Sequence, residues 1–221
     1  MAEHFQSFVQ LLFFGIIALF PVVNPIGSAF IVNPYLSQLS ETEKKAAVKK
    51  ITMYAFLLCI VSLFAGHWIL ELFGISIPVI QLAGGIMICK MGWDSLTENK
   101  DEYATHPQEG EGEPGPETRI SDKLFYPLTF PVTTGAGTIS VLFTLSAHSA
   151  DAHWSYYLIN TLAIVLAILV MCILIFIFYS NTRRMMQRLG DNGKKVLNRI
   201  SAFLIFCVGL QIAVTGLKAL F

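Results

Sequence analysis

The sequence has little charge and no excess of either sign. Only 14% of its 221 residues are charged, 15 basic and 15 acidic, whereas 54% are hydrophobic. Soluble domains contain about 25% charged residues, so this composition argues against a soluble globular protein. A net charge of zero provides no overall attraction for a polyanion, and a nucleic acid partner is not expected.

Patterns typical of enzymes and metal sites are also missing. The chain has no HExxH, no Gly-x-Ser-x-Gly, no phosphate-binding loop and no pair of carboxylates inside an apolar run. Cys59, Cys89, Cys172 and Cys207 lie in apolar runs without CxxC spacing, so neither disulfides nor a bound metal is expected. No basic stretch precedes the first apolar run, which argues against a cleavable signal peptide. The sequence therefore predicts neither an enzyme nor a cofactor.

What the chain does contain is apolar runs long enough to cross a bilayer of about 30 Å. They predict an all-α integral membrane protein with six transmembrane helices and no room for a separate soluble domain. The first and fourth are interrupted by proline and glycine, so these two spans should be discontinuous. The six predicted spans are Phe5–Val32, Ile51–Leu72, Ile75–Leu96, Leu124–Ala147, Tyr156–Tyr179 and Ile200–Leu217.

The connections carry recognisable helix signals. Gly74 can end the second helix, and Ser76 with Pro78 can begin the third, which predicts a tight hairpin. Asn33-Pro34 should stop the first helix, and Ser40 with Glu43 has the spacing of a capping box. Residues 97–122 hold eight acidic residues and three prolines, and this composition predicts a disordered acidic loop.

Lysine and arginine are concentrated on one side of these spans, which sets the orientation. The loops after spans one, three and five are basic, whereas the opposite flank carries Lys218 alone. Both termini are therefore expected in the periplasm and the acidic loop in the cytoplasm. The basic residues of the three loops are Lys44, Lys45, Lys49, Lys50, Lys100, Arg119, Lys123, Arg183, Arg184, Arg188, Lys194, Lys195 and Arg199.

The two halves of the chain resemble each other. Phe20-Pro21-Val22 recurs as Phe130-Pro131-Val132, followed at equal distances by Gly27 and Gly137 and by Ser28 and Thr138. A second match pairs Gly85–Gly92 with Gly209–Gly216. Three spans per half place the second half upside down, the inverted-repeat plan of many secondary transporters. The predicted divisions are residues 1–96, the loop 97–122, and residues 123–221.

The broken spans are the candidate substrate site. Asn24 and Pro25 suit the first positions of an inner half-helix, which would leave the amides of Ile26, Gly27 and Ser28 open. In span four the corresponding start is Thr134, with open amides on Gly135, Ala136 and Gly137, and glycine would let a ligand approach closely. Carbonyls near Leu19 and Thr129 could receive a cation. The site residues are Asn24, Pro25, Gly27, Ser28, Thr133, Thr134, Gly135, Gly137 and Thr138.

Open amides at the N-termini of the half-helices suit a carboxylate, and open carbonyls at the C-termini suit an ammonium group. The two kinds of terminus together suit a zwitterion held near the membrane midplane. The competing interpretation is that the prolines only kink packed helices, with hydroxyls bonded to carbonyls and glycines at helix contacts. Two breaks in corresponding positions favour a transport site.

Several other polar residues have two interpretations. Lys90 with Asp94, and His67 with Glu71, are gate candidates or solvated pairs near helix ends. Gln81, Gly84, Gly85 and Gln211 line a cavity or sit at helix contacts. The stretch Asn181–Arg199 lies on the anionic membrane surface or forms a solvated loop.

Asn24-Pro25-Ile26-Gly27 and the run from Pro127 to Ile139 make the chain similar to the MarC family of six-span bacterial inner-membrane proteins. The resemblance covers nearly the whole chain apart from the acidic loop. It implies substrate contacts at Asn24, Pro25, Gly27, Thr134, Gly135 and Gly137, and transport of small neutral amino acids as described for some relatives. One departure is Ala136, where the family's second motif usually has proline.

The expected function is therefore a secondary transporter of small neutral amino acids such as glycine or alanine, working by alternating access. Its partners would be a zwitterionic substrate, the lipid bilayer and a coupling ion, Na⁺ or H⁺. An exporter of drugs or other small apolar metabolites and a non-transporting membrane scaffold remain the alternatives.

Overall fold

A computed structural model describes residues 2–97, 123–149 and 154–220. Every regular element in these ranges is helical, which confirms the all-α class. The predicted acidic loop is residues 97–122, of which Thr97 ends α4 and residues 98–122 lie outside the described ranges. The helices are α1 (Ala2–Val23), α2 (Pro25–Leu36), α3 (Glu41–Phe73), α4 (Ile77–Thr97), α5 (Ala136–Ser149) and α6 (Trp154–Leu220).

The first predicted span is broken at Asn24, between α1 and α2. Asn24 adopts the left-handed conformation with φ of 42° and ψ of 61°, and Pro25 follows as the first residue of α2. The expected stop at Asn33-Pro34 is wrong, because α2 continues to Leu36. Pro34 lies in the last turn of α2, where a proline costs one hydrogen bond without forcing the helix to end.

The helix signals around α3 are confirmed. The Ser40 hydroxyl caps α3, the Glu43 amide donates to it at 3.4 Å, and the Ser40 amide donates back to the Glu43 carboxylate at 3.0 Å. At the other end Gly74 is left-handed, with φ of 63°, and its amide bonds to Glu71 and Leu70 carbonyls. The helix α4 begins directly after Ser76, so the short connection is confirmed. The tight hairpin is not, because α4 packs against α5 and α6 rather than against α3.

The fourth predicted span is broken more severely than the first. Its first part, Leu124–Thr133, has wide π-type turns and non-helical backbone at Tyr126 and Phe130. We call this part the proline segment, since it contains Pro127 and Pro131. The segment meets the following helix at an angle of 66°.

The long helix α6 contains the last two predicted spans. It is broken at Gly190, where φ is 60° and ψ is −178°. We call the parts before and after Gly190 the first arm and the second arm. Both arms continue as helix through the stretch Asn181–Arg199 up to the break, and Arg183, Arg184 and Arg188 are exposed there.

Four helical stretches in the described residues are long and apolar enough to cross a membrane: Phe8–Leu36, Glu41–Gly66, Tyr156–Arg188 and Lys195–Leu220. The bent pair formed by the proline segment and α5 makes a fifth if it is one span. The predicted third span is helical, as α4, but Gln81, Lys90 and Asp94 reduce its hydropathy below that of the others. The protein is thus a multi-pass membrane protein with four or five clear spans.

Packing follows the membrane pattern. The buried core includes Leu19, Val32, Ile51, Leu128 and Ile168, contributed by α1, α2, α3, the proline segment and α6. Large apolar side chains such as Phe13, Val61 and Ile173 are instead more than half exposed. Such a surface is suited to contact with lipid tails rather than water.

The tightest helix contact joins α4 to the second arm of α6. A Cβ atom on Gly85 would collide with the Ala213 amide nitrogen and lie 2.7 Å from the Gly209 carbonyl oxygen. A Cβ atom on Gly209 would lie 2.5 Å from the Cys89 amide nitrogen and 2.8 Å from the Gly85 carbonyl oxygen. Neither position has room for a side chain, so backbone packs directly on backbone.

A second pair of glycines repeats this arrangement one heptad further along. A Cβ atom on Gly92 would lie 2.5 Å from the Phe206 amide nitrogen and 2.9 Å from the Ala202 carbonyl oxygen. A Cβ atom on Gly216 would lie 2.6 Å from both the Leu82 amide nitrogen and the Pro78 carbonyl oxygen. Each contact atom on α4 has an equivalent on the second arm at the same sequence offset that relates Gly85 to Gly209. The contacts of Gly92 and Gly216 are therefore equivalent to each other, as are those of Gly85 and Gly209. The two helices run antiparallel, and their contact is locally two-fold symmetric.

Candidate functional site

Asn24 caps α2 as the sequence predicts, but it also closes the break. Its Oδ1 accepts the Gly27 amide at 3.1 Å, and its carbonyl accepts the Ser28 amide at 2.9 Å. The Ser28 hydroxyl donates to the same carbonyl at 2.8 Å. Two of the three amides expected to be open, those of Gly27 and Ser28, therefore have partners within the chain, and that expectation is wrong for them.

The absence of a side chain at Gly27 serves the cap. A Cβ atom there would lie 2.8 Å from Asn24 Cγ and 2.9 Å from Asn24 Oδ1. The sequence predicts that the space above Gly27 is open to a ligand. In the structure the Asn24 side chain fills that space. Glycine is thus required at position 27, as the sequence suggested, but the atoms that approach it belong to Asn24 and not to a ligand.

The proline segment consists of two consecutive units with the same chemistry, Tyr126-Pro-Leu-Thr129 and Phe130-Pro-Val-Thr133. The Thr129 hydroxyl donates to the Leu124 carbonyl at 2.6 Å, and the Thr133 hydroxyl donates to the Leu128 carbonyl at 2.7 Å. Since prolines cannot donate, these hydroxyls take the place of missing backbone donors. The threonines allow an irregular backbone to remain buried.

The helix α5 begins later than predicted. Its first residue is Ala136, and the Gly135 carbonyl accepts the Ile139 amide at 3.2 Å, so Gly135 and not Thr134 precedes the helix. The Thr129 carbonyl accepts the Thr134 amide at 2.8 Å, and Leu19 lies inside α1. The carbonyl ends expected near these two residues are therefore not open, because α1 runs on to Val23 and the threonines close the proline segment.

The two breaks lie next to each other in space. A Cβ atom on Gly137 would lie 3.8 Å from Val22 of α1 and 3.1 Å from Ile88 of α4. A Cβ atom on Gly135 would lie 2.9 Å from the Pro131 carbonyl oxygen. Like Gly27, these glycines face protein atoms in this conformation, whereas the sequence suggested open space.

Tyr179 connects both breaks and was not identified from the sequence. Its side chain is completely buried, and its hydroxyl lies 2.7 Å from the Thr133 hydroxyl. The Ser28 side chain of α2 lies beside the same phenol. A tyrosine inside an apolar span needs a hydrogen-bond partner for its hydroxyl. This requirement could have identified Tyr179 as a candidate residue from the sequence.

Two threonine hydroxyls at the start of α5 have no hydrogen-bond partner. Thr134 is 1% exposed and Thr138 is fully buried, and the Oγ1 atoms of both are without an acceptor or donor of normal geometry. The Cys59 thiol, a weak hydrogen-bonding group, lies beside Thr134. Buried hydroxyls without partners are costly, so these two are the polar groups at the breaks most available to a ligand.

The remaining candidates lie elsewhere. Lys90 and Asp94 form an ion pair of 2.7 Å whose side chains are 75% and 47% exposed. Gly84 packs against Ser140 of α5, Gln81 is buried, and Gln211 is exposed. Glu71 is exposed, whereas the side chain of His67 lies outside what the structure describes. Within the described residues, no three His, Cys, Asp or Glu side chains are grouped to bind a metal ion.

Comparison with known proteins places the chain among membrane proteins. Residues 9–221 match the family described as MarC family integral membrane protein. The inner membrane protein MarC of Salmonella arizonae is 24% identical over 204 residues, which is 91% of each chain. The protein of the same name from Escherichia coli strain K12 is 23% identical over 207 residues, or 92% of each chain. No solved structure matches the chain.

Proposed function

We propose that this chain, which belongs to the MarC family of integral membrane proteins and resides in the inner membrane, is a secondary transporter of small neutral amino acids. The observation that carries the proposal is the pair of buried, unpartnered hydroxyls of Thr134, just before α5, and Thr138, in its first turn. They lie beside the helix N-terminus, whose amides favour an anionic group such as a carboxylate. No enzymatic activity and no cofactor is part of the proposal.

The substrate we propose is zwitterionic and small. Its carboxylate would bind at the amides and hydroxyls at the start of α5. Its ammonium group would be received by the Pro21 carbonyl, to which Pro25 has no N–H to donate. The side chains named at the breaks are uncharged, so a substrate with no net charge leaves no uncompensated charge inside the membrane.

The contacts at Gly137 imply that binding requires movement. Val22 and Ile88 pack against Gly137 in this conformation, so a substrate at the start of α5 must displace them. Separation of α1 and α2 from α5 would expose the site to one side of the membrane at a time. This is the alternating access that we propose, coupled to a Na⁺ or H⁺ gradient.

We further propose six spans arranged as two inverted repeats, with α4 as the sixth span. Support comes from the two-fold symmetric glycine contacts between α4 and the second arm of α6, which pair the matching segments Gly85–Gly92 and Gly209–Gly216. In this arrangement the basic residues after spans one, three and five face the cytoplasm, and both termini are periplasmic. The glycine-packed pair would act as the rigid frame against which the broken spans move.

Uptake into proteoliposomes tests the transporter proposal. Purified protein is reconstituted, and uptake of labelled glycine, alanine and serine is measured under a sodium gradient, under a proton gradient and in exchange with internal substrate. We expect saturable uptake of at least one of them, with competition by the others. Absence of saturable uptake under all three conditions, with correctly inserted protein, would overturn the proposal.

A further inference from the structure

A cavity separate from the two breaks lies at the end of the helix bundle that carries the basic flanks. Its volume is about 370 Å³. It is formed by the end of α2, the turn that follows, the first turn of α3 and the end of the first arm of α6. The polar residues that line it are Asn33, Ser37, Glu41, Lys44, Arg183 and Gln187.

Lys44 is the unusual residue of this cavity. It is only 6% exposed, although lysine is one of the side chains least often buried. No described residue forms an ion pair with it. Its aliphatic stem is enclosed by protein, while the residue lines the cavity, so its ammonium group can reach a negatively charged group that enters there.

Arg183 adds a second positive charge to the same cavity. It comes from α6, one turn after Tyr179, whereas Lys44 comes from α3. Two cations that line one small space repel each other unless an anion lies between them. Glu41 contributes a carboxylate at the cavity wall, which leaves one positive charge in excess among the lining residues.

We propose that this cavity binds the phosphodiester of a membrane phospholipid, with Lys44 and Arg183 as its donors. Arginine and lysine are the usual partners of phosphate groups, and basic pockets between helices at the cytoplasmic surface suit lipid headgroups. Glu41 is placed to accept the ammonium group when the headgroup is ethanolamine. The site does not depend on the transport proposed above, since it contains none of the residues at the breaks.

Binding is measured by native mass spectrometry of the full-length protein in detergent during titration with lipid. Phosphatidylglycerol and phosphatidylethanolamine should each bind as a single saturable adduct, whereas diacylglycerol, which has the same tails and no phosphate, should not. Inorganic phosphate alone should not compete at millimolar concentration. Equal binding of diacylglycerol would overturn the headgroup site, and full competition by inorganic phosphate would overturn the assignment to lipid.

Variants of cavity residues, paired with variants of their exposed neighbours, test whether the lipid binds in this cavity. Lys44→Gln and Arg183→Gln should each weaken lipid binding about tenfold, the loss typical of one charge-assisted hydrogen bond. Lys45→Gln and Arg184→Gln remove the same charge from exposed neighbours on the same helices and should change affinity less than about twofold. Equal losses in both pairs would mean nonspecific attraction and overturn the proposal.

Two further readouts keep the test decisive. Arg183 is exposed, so Arg183→Gln should remain folded even if the buried Lys44→Gln does not. Glu41→Gln should weaken binding of phosphatidylethanolamine and leave phosphatidylglycerol unaffected. If both lipids bind Glu41→Gln as they bind the unaltered protein, Glu41 is not the ammonium acceptor and that part of the proposal fails.

Discussion

The hydroxyls of Tyr179 and Thr133 lie 2.7 Å apart inside the protein, and this contact joins α6 to the proline segment. The single hydrogen of the Thr133 hydroxyl is directed to the Leu128 carbonyl, so the phenol is the donor. Ser28, whose hydrogen points to the Asn24 carbonyl, lies near the same phenol. Tyr179 thus donates to Thr133 at one broken span and lies beside Ser28 at the other.

Removing the Tyr179 hydroxyl should destabilise the protein. Tyr179→Phe leaves the Thr133 oxygen short of a donor, and we expect a loss of about 1 kcal/mol, or a melting temperature lower by about 2–4 °C. Tyr54→Phe is the matched control, because the Tyr54 ring packs against Phe125 and no described residue accepts a hydrogen bond from its hydroxyl. Melting in detergent can be followed with a thiol-reactive dye, since Cys59 and Cys172 are buried until the protein unfolds. Equal melting temperatures for both variants would contradict the role of Tyr179.

The glycine contacts of α4 predict equal effects at symmetric positions. Gly85→Ala and Gly209→Ala insert a methyl group against backbone at nearly the same distances, and each should cost about 1–3 kcal/mol. Gly15→Ala is a milder control, because its Cβ would meet a side-chain methyl of Ala167 at 3.1 Å. The same melting assay measures all three. If Gly85→Ala were severe and Gly209→Ala harmless, the two-fold contact would not describe the packing.

Asn24 and Gly27 should be energetically coupled. Gly27→Ala alone collides with the Asn24 side chain, whereas Asn24→Gly alone removes the cap and frees that space. In the double variant the added methyl group has room, so its destabilisation should be smaller than the sum of the two single effects by more than about 0.5 kcal/mol. Strictly additive losses would mean that Asn24 does not occupy the space above Gly27 in solution.

Labelling of introduced cysteines distinguishes six spans from five. All four native cysteines are free thiols and would first be replaced. With α4 as a span, Ser76→Cys should react with a membrane-impermeant maleimide in spheroplasts, and Lys123→Cys should react only after permeabilisation. Both positions are exposed in the structure. Labelling of both from the same side would show that α4 does not cross the membrane.

Local chemistry explains which features were predictable from the sequence. The caps at Asn24, Ser40 and Gly74 each depend on residues within four positions, and all three were predicted. The start of α5 at Ala136 was missed because the Thr129 carbonyl takes the Thr134 amide, an interaction set by the irregular proline segment. The Tyr179 contact spans 46 positions and requires the tertiary fold, which no local pattern encodes.

The hydroxyls of Thr134 and Thr138 provide the sharpest test of the proposed substrate site, because stability and transport should respond in opposite ways. Replacing a buried, unpartnered hydroxyl by a methyl group removes an unsatisfied polar atom without changing the shape of the side chain. Thr134→Val and Thr138→Val should therefore melt at the same temperature as the unaltered protein or slightly higher. If the hydroxyls hold the substrate, uptake should nevertheless fall at least about tenfold, the equivalent of about 1.4 kcal/mol. Thr144→Val is the control on the same helix, since its hydroxyl already donates to the Ser140 carbonyl at 3.1 Å. Uptake should survive in that variant, and undiminished uptake in Thr134→Val and Thr138→Val would remove these residues from the site.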